Sequence, residues 1–201
     1  MPISSLELRG GHVALDFVNT VAWRGDPGRT LDHLTDYSAL LGWAAHAGVL
    51  DTVEVRRLES AAREQRPAGA RALRDAKRLR EALHGMWTGD TTQLDVISAA
   101  NVRAAQHRRL SLENDAVGWS ERGFTLQTPT NRIVVAAVEL ATTAALSAVR
   151  SCGDADCGWL FLDVSPRRNR RWCSTADCGN RARVRRHYRR TRNPSAVATN
   201  T

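Results

Sequence analysis

Residues 152–181 read CGDADCGWLFLDVSPRRNRRWCSTADCGNR, and they contain all four cysteines of the 201-residue chain. Cys152 and Cys157 form one close pair and Cys173 and Cys178 a second, with four residues inside each pair and fifteen between the pairs. Two such pairs, separated by an insert of hairpin length, are typical of a tetrahedral structural zinc site. The spacing therefore predicts one Zn²⁺ ion with four thiolate ligands and no coordination position open for catalysis.

Two disulfides, an iron–sulfur cluster or four unconnected thiols are the alternatives to zinc. The N-terminus, MPISSLELRGGHVALDFV, lacks the pattern of a signal peptide, so we expect a cytoplasmic protein whose thiols stay reduced. A module of about forty residues buries too little apolar surface to fold alone, so metal binding would supply its folding free energy, on the order of 10 kcal/mol. Within the insert, the sequence predicts a hairpin with arms at Trp159–Leu162 and before Trp172, joined by a turn at Ser165 and Pro166.

The net charge of +8 is concentrated in the same part of the chain. Residues 150–192 hold 12 arginines and four aspartates, whereas residues 1–149 hold 17 basic and 17 acidic residues. The last nine residues carry no charge, and we expect residues 193–201 to be a disordered tail. An acidic polymer is the natural partner of such a basic module.

A run of seven arginines without an acidic residue follows the last cysteine, in NRARVRRHYRRTR. The run predicts a helix that packs through a narrow stripe containing Val184 and Tyr188 and presents guanidinium groups elsewhere. Arginine suits bidentate contacts with phosphates and with guanine edges in the major groove. The candidate nucleic-acid contacts are Arg181, Arg183, Arg185, Arg186, Arg189, Arg190 and Arg192.

The first 149 residues predict a mainly helical α+β domain with a small sheet. The pattern favours a strand over His12–Thr20 and a short hairpin between Leu110 and Leu126 with Gly118 and Gly123 between its arms. Helices are predicted over residues 31–47, 51–65, 70–86, 92–109 and 133–149, with the segment from Arg66 to Gly69 as a break. The last of these helices is apolar but too short and too polar to favour a membrane span, so no membrane partner is expected.

Five polar residues crowd around the predicted first strand and its loop: His12, Asp16, Asn19, Thr20 and Arg24. Buried polar groups need partners, which here are either a small-molecule effector or backbone amides in a turn. The chain has no GxSxG, HExxH, P-loop or GxGxxG motif, so we expect no enzymatic activity.

The C-terminal segment resembles the CGNR zinc finger, whose motif stands here as Cys178-Gly179-Asn180-Arg181. The similarity extends to Cys152-Gly153, to WLFLDVS with Asp163 and Ser165, and to RRWC at Arg170–Cys173. The N-terminal part resembles the ABATE domain in Gly11, LDFVNT at Leu15–Thr20, Arg24-Gly25 and LLGWAAHAGVL at Leu40–Leu50. These resemblances imply a bacterial stress-induced transcription regulator with Cys152, Cys157, Cys173 and Cys178 as its zinc ligands.

The resulting hypothesis divides the chain into a sensor or dimerisation domain at residues 1–149 and a zinc-binding hairpin-plus-helix module, treble-clef or ribbon-like, at residues 150–192. The hypothesis for its function is that the protein binds DNA through the arginine helix and acts as a transcriptional regulator. RNA binding and a zinc module for protein–protein interaction are the alternatives. A single finger reads few base pairs, so a homodimer would provide a site of useful length.

Overall fold

The computed structural model describes residues 3–113, 115–143 and 147–192, so the predicted disordered tail lies outside the described residues. In these ranges the helices are α1 (Val13–Val18), α2 (Tyr37–His46), α3 (Thr52–Glu64), α4 (Arg66–Thr88), α5 (Leu94–Gln106), α6 (Thr128–Ala141) and α7 (Asn180–Arg192). Antiparallel pairs join β1 (Val21–Ala22) to β2 (Leu31–Asp32), β3 (Arg108–Glu113) to β4 (Ala116–Glu121), and β5 (Val149–Ser151) to β6 (Leu160–Leu162). The predicted mainly helical α+β class is confirmed. None of the described helices is both long and apolar enough to cross a membrane.

Helix α1 lies at the centre of the N-terminal domain, in contact with α4 and α6. Leu15, Phe17 and Val18 are fully buried, and the Phe17 ring packs 5.3 Å from the ring of Trp43 on α2. The predicted strand over His12–Thr20 is therefore wrong. A six-residue helix buried on nearly all sides shows little of the 3.6-residue periodicity that identifies an amphipathic helix, and a short apolar run then looks like a strand.

Several predicted helix boundaries also shift. The predicted helix from residue 31 begins instead at Tyr37, where the Asp36 carboxylate accepts a hydrogen bond from the Ala39 amide. The predicted break at Arg66–Gly69 is the first turn of α4, where a proline costs no helical hydrogen bond. The prediction of α3 is confirmed, with Asp51 and Glu54 forming a reciprocal capping box.

The predicted late helix and hairpin are only partly correct. Helix α6 ends at Ala141, and Val149 already belongs to strand β5. The hairpin of β3 and β4 turns next to Asp115, which has a φ of 62°, so Gly118 lies inside a strand and the GFTLQT segment forms none. Aspartate tolerates this left-handed conformation better than most residues, and a single such residue is a weak sequence signal.

The first half of the cysteine-bearing segment is built into the N-terminal domain. Leu160 is fully buried in the main core, and Asn19 holds its backbone at both ends: the Asn19 Nδ2 donates to the Leu160 carbonyl and the Leu160 amide donates to Asn19 Oδ1, each at 2.8 Å. The Trp159 Nε1 donates to the Val21 carbonyl at 3.0 Å. The two predicted parts of the chain thus share one packed interface.

The hairpin predicted within the cysteine insert is wrong, because β6 pairs backwards with β5 and not forwards with residues before Trp172. The buried Asp163 carboxylate turns the chain away after β6. It accepts hydrogen bonds from the Ser165 amide at 3.1 Å, the Ser165 hydroxyl at 2.6 Å and the Arg170 amide at 2.9 Å. The zinc-binding hairpin therefore has the first cysteine pair between its strands.

An ion-pair cluster at the end of β2 makes stability sensitive to acid. Burial raises the pKa of Asp32, but hydrogen bonds from Arg80 (2.7 and 2.9 Å) and an ion pair with Lys77 (2.9 Å) outweigh it and hold that pKa below its usual range. The unfolded chain therefore takes up this proton at higher pH than the folded one, and the stabilisation is lost as the pH falls below about 4.

We expect the Asp32→Asn variant to be less stable at pH 7 and to lose less free energy of unfolding than the parent chain between pH 5 and pH 3. Urea unfolding across this range measures both effects. Asp95→Asn is the control for removal of one carboxylate, because Asp95 is exposed and forms no ion pair with the described residues. Equal acid dependence of Asp32→Asn and the parent chain would show that this cluster does not determine the acid response.

Candidate metal centre and the helix that follows it

The four cysteine sulfurs lie within 4.8 Å of one another, and all four side chains are buried. The Cys173 Sγ is 3.7 Å from the Cys157 Sγ and 3.5 Å from the Cys178 Sγ. A Zn–S bond of about 2.3 Å in a tetrahedron places neighbouring sulfurs about 3.8 Å apart. The cysteines are free, and these separations are far longer than the roughly 2.05 Å of a disulfide. The cluster is a zinc-binding site for one structural ion, as the spacing predicts.

The thiols affect each other's ionisation strongly. Hydrogen bonding with Cys157 lowers the pKa of Cys152, whereas the contact with the Cys152 sulfur raises the pKa of Cys173. Neighbouring thiols can donate to one thiolate, but a second negative charge at this distance is repelled. Four thiolates can therefore coexist here only around a cation, which is the chemistry that Zn²⁺ supplies when bound.

Each cysteine pair lies in a tight turn. Cys152 directly follows β5, and its amide donates to the Trp159 carbonyl at 2.8 Å, which closes the first turn. Cys178 lies in a single π-helical turn, Thr175–Gly179, which continues without a break into α7. The position of a metal ligand thus determines where the arginine helix begins.

Two acidic residues of the first turn hold the start of α7. The Asp154 side chain is fully buried and accepts a hydrogen bond from Arg181 Nε at 3.0 Å and another from Arg185. Arg185 also bonds to Asp156 at 2.7 Å. Arg181 donates to the Cys178 Sγ at 2.8 Å, so a guanidinium group offsets the negative charge of the cluster. Among the candidate arginines whose side chains the structure describes, Arg181 and Arg185 are thus engaged within the protein.

The predicted packing stripe on α7 is wrong. Val184 and Tyr188 are 45% and 63% exposed, and the helix is held through its first two turns by arginine–aspartate pairs instead. The acidic partners are 27 to 31 residues upstream, so a projection of the helix alone could not identify them.

The support that Trp23 and Gly25 give to the zinc-binding segment is not predicted by the sequence. The guanidinium groups of Arg29 and Arg181 both lie over the Trp23 ring, 3.4 and 4.6 Å from its centroid. The next two amides, of Arg24 and Gly25, donate to the carbonyls of Cys157 and Asp156, each at 3.2 Å. A loop of the N-terminal domain therefore supports the first cysteine turn.

We expect Gly25→Ala to destabilise the folded chain by about 3 kcal/mol, since a Cβ atom at this position would lie 1.8 Å from the Ala155 carbonyl oxygen, and backbone must move to admit it. The loop would then lose its bonds to the first cysteine turn. Gly28→Ala in the same loop is the matched control, because its Cβ meets nothing closer than 3.5 Å. Thermal unfolding of both zinc-loaded variants measures the difference in stability between them. Equal stability would show that the close approach of Gly25 to Ala155 does not affect the free energy of unfolding.

The outer arginines of α7 differ from Arg181 and Arg185. Arg183 and Arg186 are exposed and take part in none of the ion pairs among the described residues. Arg189, Arg190 and Arg192 continue the same helix, and their side chains lie outside the described part of the structure. On a helix of 3.6 residues per turn, Arg183, Arg186 and Arg190 share one side.

The five candidate ligand residues around α1 all form hydrogen bonds within the protein. His12 accepts from the Ala14 amide, Asp16 accepts from the Gly10 amide, Asn19 bonds to the Leu160 backbone, Thr20 donates to the Phe17 carbonyl and Arg24 donates to Glu81. Burial raises the pKa of Asp16 to about 6. Partners from the chain itself therefore engage each of the five side chains, although the buried Nε of Arg24 has no hydrogen-bond partner among the described residues. An effector contact at these residues stays a prediction.

A cleft of about 320 Å³ lies between the N-terminal domain and the cysteine cluster. Its walls include Leu6, Trp23 and Leu31 from the N-terminal domain and Trp159 and Cys178 from the zinc-binding segment. The N-terminal domain and the zinc-binding segment therefore both contribute side chains to the walls of this cleft.

Comparison with known families gives two matches. Residues 11–151 match the ABATE family, described as "Putative stress-induced transcription regulator", and residues 148–191 match the CGNR zinc finger. The first match covers more than half of the chain, and the two overlap at β5, the strand that enters the cysteine cluster. No curated protein matches the chain.

Proposed function

Since the chain belongs to the ABATE family and carries a CGNR zinc finger, we propose that it is a transcription regulator that binds DNA through helix α7. The observation that supports this proposal is that the arginines of α7 lie in two different environments. Arg181 and Arg185 attach the helix to the zinc site, whereas Arg183 and Arg186 are exposed and form no ion pair with any residue that the structure describes. The zinc ion has a structural part in this function, because it fixes the start of the helix.

Electrostatics support a polyanion as the partner. Even when the zinc tetrathiolate is counted as −2, residues 150–192 keep a net charge of about +6. The internal acids Asp154 and Asp156 neutralise only the arginines nearest the cluster. A run of outer arginines without acidic neighbours on the same helix is suited to phosphate contacts and costs stability in a free surface helix.

The geometry favours duplex DNA over RNA. A helix of 13 residues is about 20 Å long, and a helix enters the roughly 12 Å wide major groove of B-DNA. The major groove of A-form RNA is too deep and narrow for side chains to read. An exposed helix with several arginines therefore has more base edges within reach on DNA.

We infer that the chain acts by binding and not by catalysis. Four thiolates fill the coordination sphere of a tetrahedral zinc ion, so the metal has no position for a substrate or an activated water. Signal reception is assigned to the N-terminal domain, with the cleft beside the cysteine cluster as the place where a bound effector would contact both the domain and the zinc-binding segment.

A competition experiment tests the proposal. Full-length zinc-loaded protein is titrated onto a labelled DNA duplex, with unlabelled duplex DNA or a stem-loop RNA of equal length as competitor, at several salt concentrations. The proposal predicts that duplex DNA competes better at every salt concentration. Better competition by the stem-loop RNA would support the RNA-binding alternative. If the protein binds neither the DNA duplex nor the stem-loop RNA at physiological salt, the result would support the protein-interaction alternative.

A further inference from the structure

The hairpin of β3 and β4 carries a row of exposed apolar side chains on one face. Leu110 pairs across from Trp119 and Leu112 from Val117, and residues two apart on a strand share a face. These four side chains are 61–69% exposed. Together they form a patch on the order of 500 Å², at the upper end of the largest apolar patches on ordinary monomers.

We propose that this face binds a second copy of the chain and forms a two-fold symmetric dimer. Two such patches would bury on the order of 1,000 Å² in total, which is the lower limit for a specific interface, before any contribution from their surroundings. The inference does not depend on the proposed DNA binding.

The distribution of charge along the hairpin supports a copy of the same chain as the partner. The base of the hairpin carries Arg108, Arg109 and Arg122, with Glu121 there already paired to Arg132, whereas its turn carries Asp115. In an antiparallel two-fold arrangement, the acidic turn of each hairpin lies against the basic base of the other. A two-fold interface needs such a self-complementary surface, with apolar contacts along the axis and opposite charges at the ends.

The hairpin is also firmly held at its base, so its apolar face is presented in one orientation. Arg132 on α6 bonds to Glu121 at the end of β4 and to Glu54 on α3, with N–O distances of 2.8 Å to each carboxylate. The Arg122 amide donates to the His107 carbonyl at 2.8 Å. The opposite face carries Arg109, Ser111 and Gly118, of which Arg109 and Gly118 are exposed.

The unpaired backbone of the hairpin adds a further reason. Among the described residues, β3 and β4 form a two-stranded sheet, so each strand has one edge without a neighbouring strand. Exposed edges together with an apolar face favour pairing with another chain. Face-to-face packing of two copies would remove the apolar face from solvent.

Analytical ultracentrifugation of the full-length zinc-loaded chain tests the proposal. We expect a species of twice 22.2 kDa at micromolar concentration. The double variant Leu112→Glu/Val117→Glu places carboxylates on the apolar face and should raise the dimer dissociation constant at least a hundredfold. Ser111→Glu, on the opposite face of the same strand, should leave it unchanged. Zinc content and circular dichroism verify that all three proteins are folded.

Two results would overturn the proposed dimer. A parent chain that stays monomeric at 100 µM overturns the proposal and leaves a different protein as the occupant of the patch. A parent dimer that the double variant does not weaken places the interface elsewhere and also overturns it. Either result leaves the proposed function standing, because binding of a single α7 to DNA does not require this face.

Discussion

The variant Cys173→Ser should contain no stoichiometric zinc and should lose the structure of the cysteine-bearing segment. Cys173 is buried in the centre of the cluster, 3.5 and 3.7 Å from two other ligands. A serine hydroxyl is a poor replacement for a thiolate, and structural zinc contributes on the order of 10 kcal/mol to the folding of small modules. The start of α7 would lose its support.

We expect the loss to reach the N-terminal domain without unfolding it. Leu160 belongs to the main core, and Asn19 is bonded to it, so loosening of β6 removes buried apolar contacts from the domain. Loss of one buried leucine typically costs 2–5 kcal/mol, roughly, which lowers the melting temperature of a domain that remains folded. A zinc-binding segment with no share in the main core would unfold without any effect on the domain, and the burial of Leu160 in that core predicts a different result.

Native mass spectrometry measures the bound zinc, and hydrogen exchange measures protection along the chain. Val164→Ser is the control within the same segment, because Val164 is largely exposed and is not one of the zinc ligands. This control should bind one zinc ion and keep its protection. One equivalent of zinc retained in Cys173→Ser would refute the four-cysteine assignment.

The double variant Arg183→Ala/Arg186→Ala should bind DNA about a hundredfold more weakly at moderate salt. These side chains are exposed and have no acidic partner among the described residues, so their removal takes away contacts to DNA without disturbing the fold. Each lost phosphate contact should also reduce the slope of log K against log salt by about 0.9, or about 2 for the pair.

The matched control is Arg71→Ala/Arg74→Ala on α4. These arginines are exposed, have the same spacing on a helix and give the same change in net charge. Fluorescence anisotropy with a labelled duplex over a salt series compares the two variants with the parent chain. A parallel loss of affinity in both variants would show that net charge, and not α7, determines binding. An unchanged slope in Arg183→Ala/Arg186→Ala would remove α7 from the interface.

The metal site could be predicted almost completely from the sequence, because zinc coordination imposes its own spacing on the ligands. The four cysteines, the single structural ion and the helix after Cys178 are all confirmed. Family motifs at both ends of the chain led to the same two families that the comparisons show. The ligand spacing and the family motifs are local features of the sequence, so they could be recognised before the fold was known.

The errors arose where distant residues decide the structure. Strand β6 pairs with β5 across the first cysteine turn, and the attachment of α7 depends on Asp154 and Asp156, which lie 27 to 31 residues before their arginine partners. Local periodicity reveals neither contact. Helix α1 looked like a strand because complete burial removes the amphipathic pattern on which such predictions depend.

Binding of the full-length chain to fragmented genomic DNA of its source, with the bound fragments sequenced over a salt series, tests DNA recognition by α7. Recognition of bases by α7 predicts that the parent chain enriches a common sequence motif and that Arg183→Ala/Arg186→Ala does not. Steep salt dependence without an enriched motif would contradict it and would reduce α7 to a general contact with polyanions. The same motif enriched by both proteins would show that another part of the chain reads DNA.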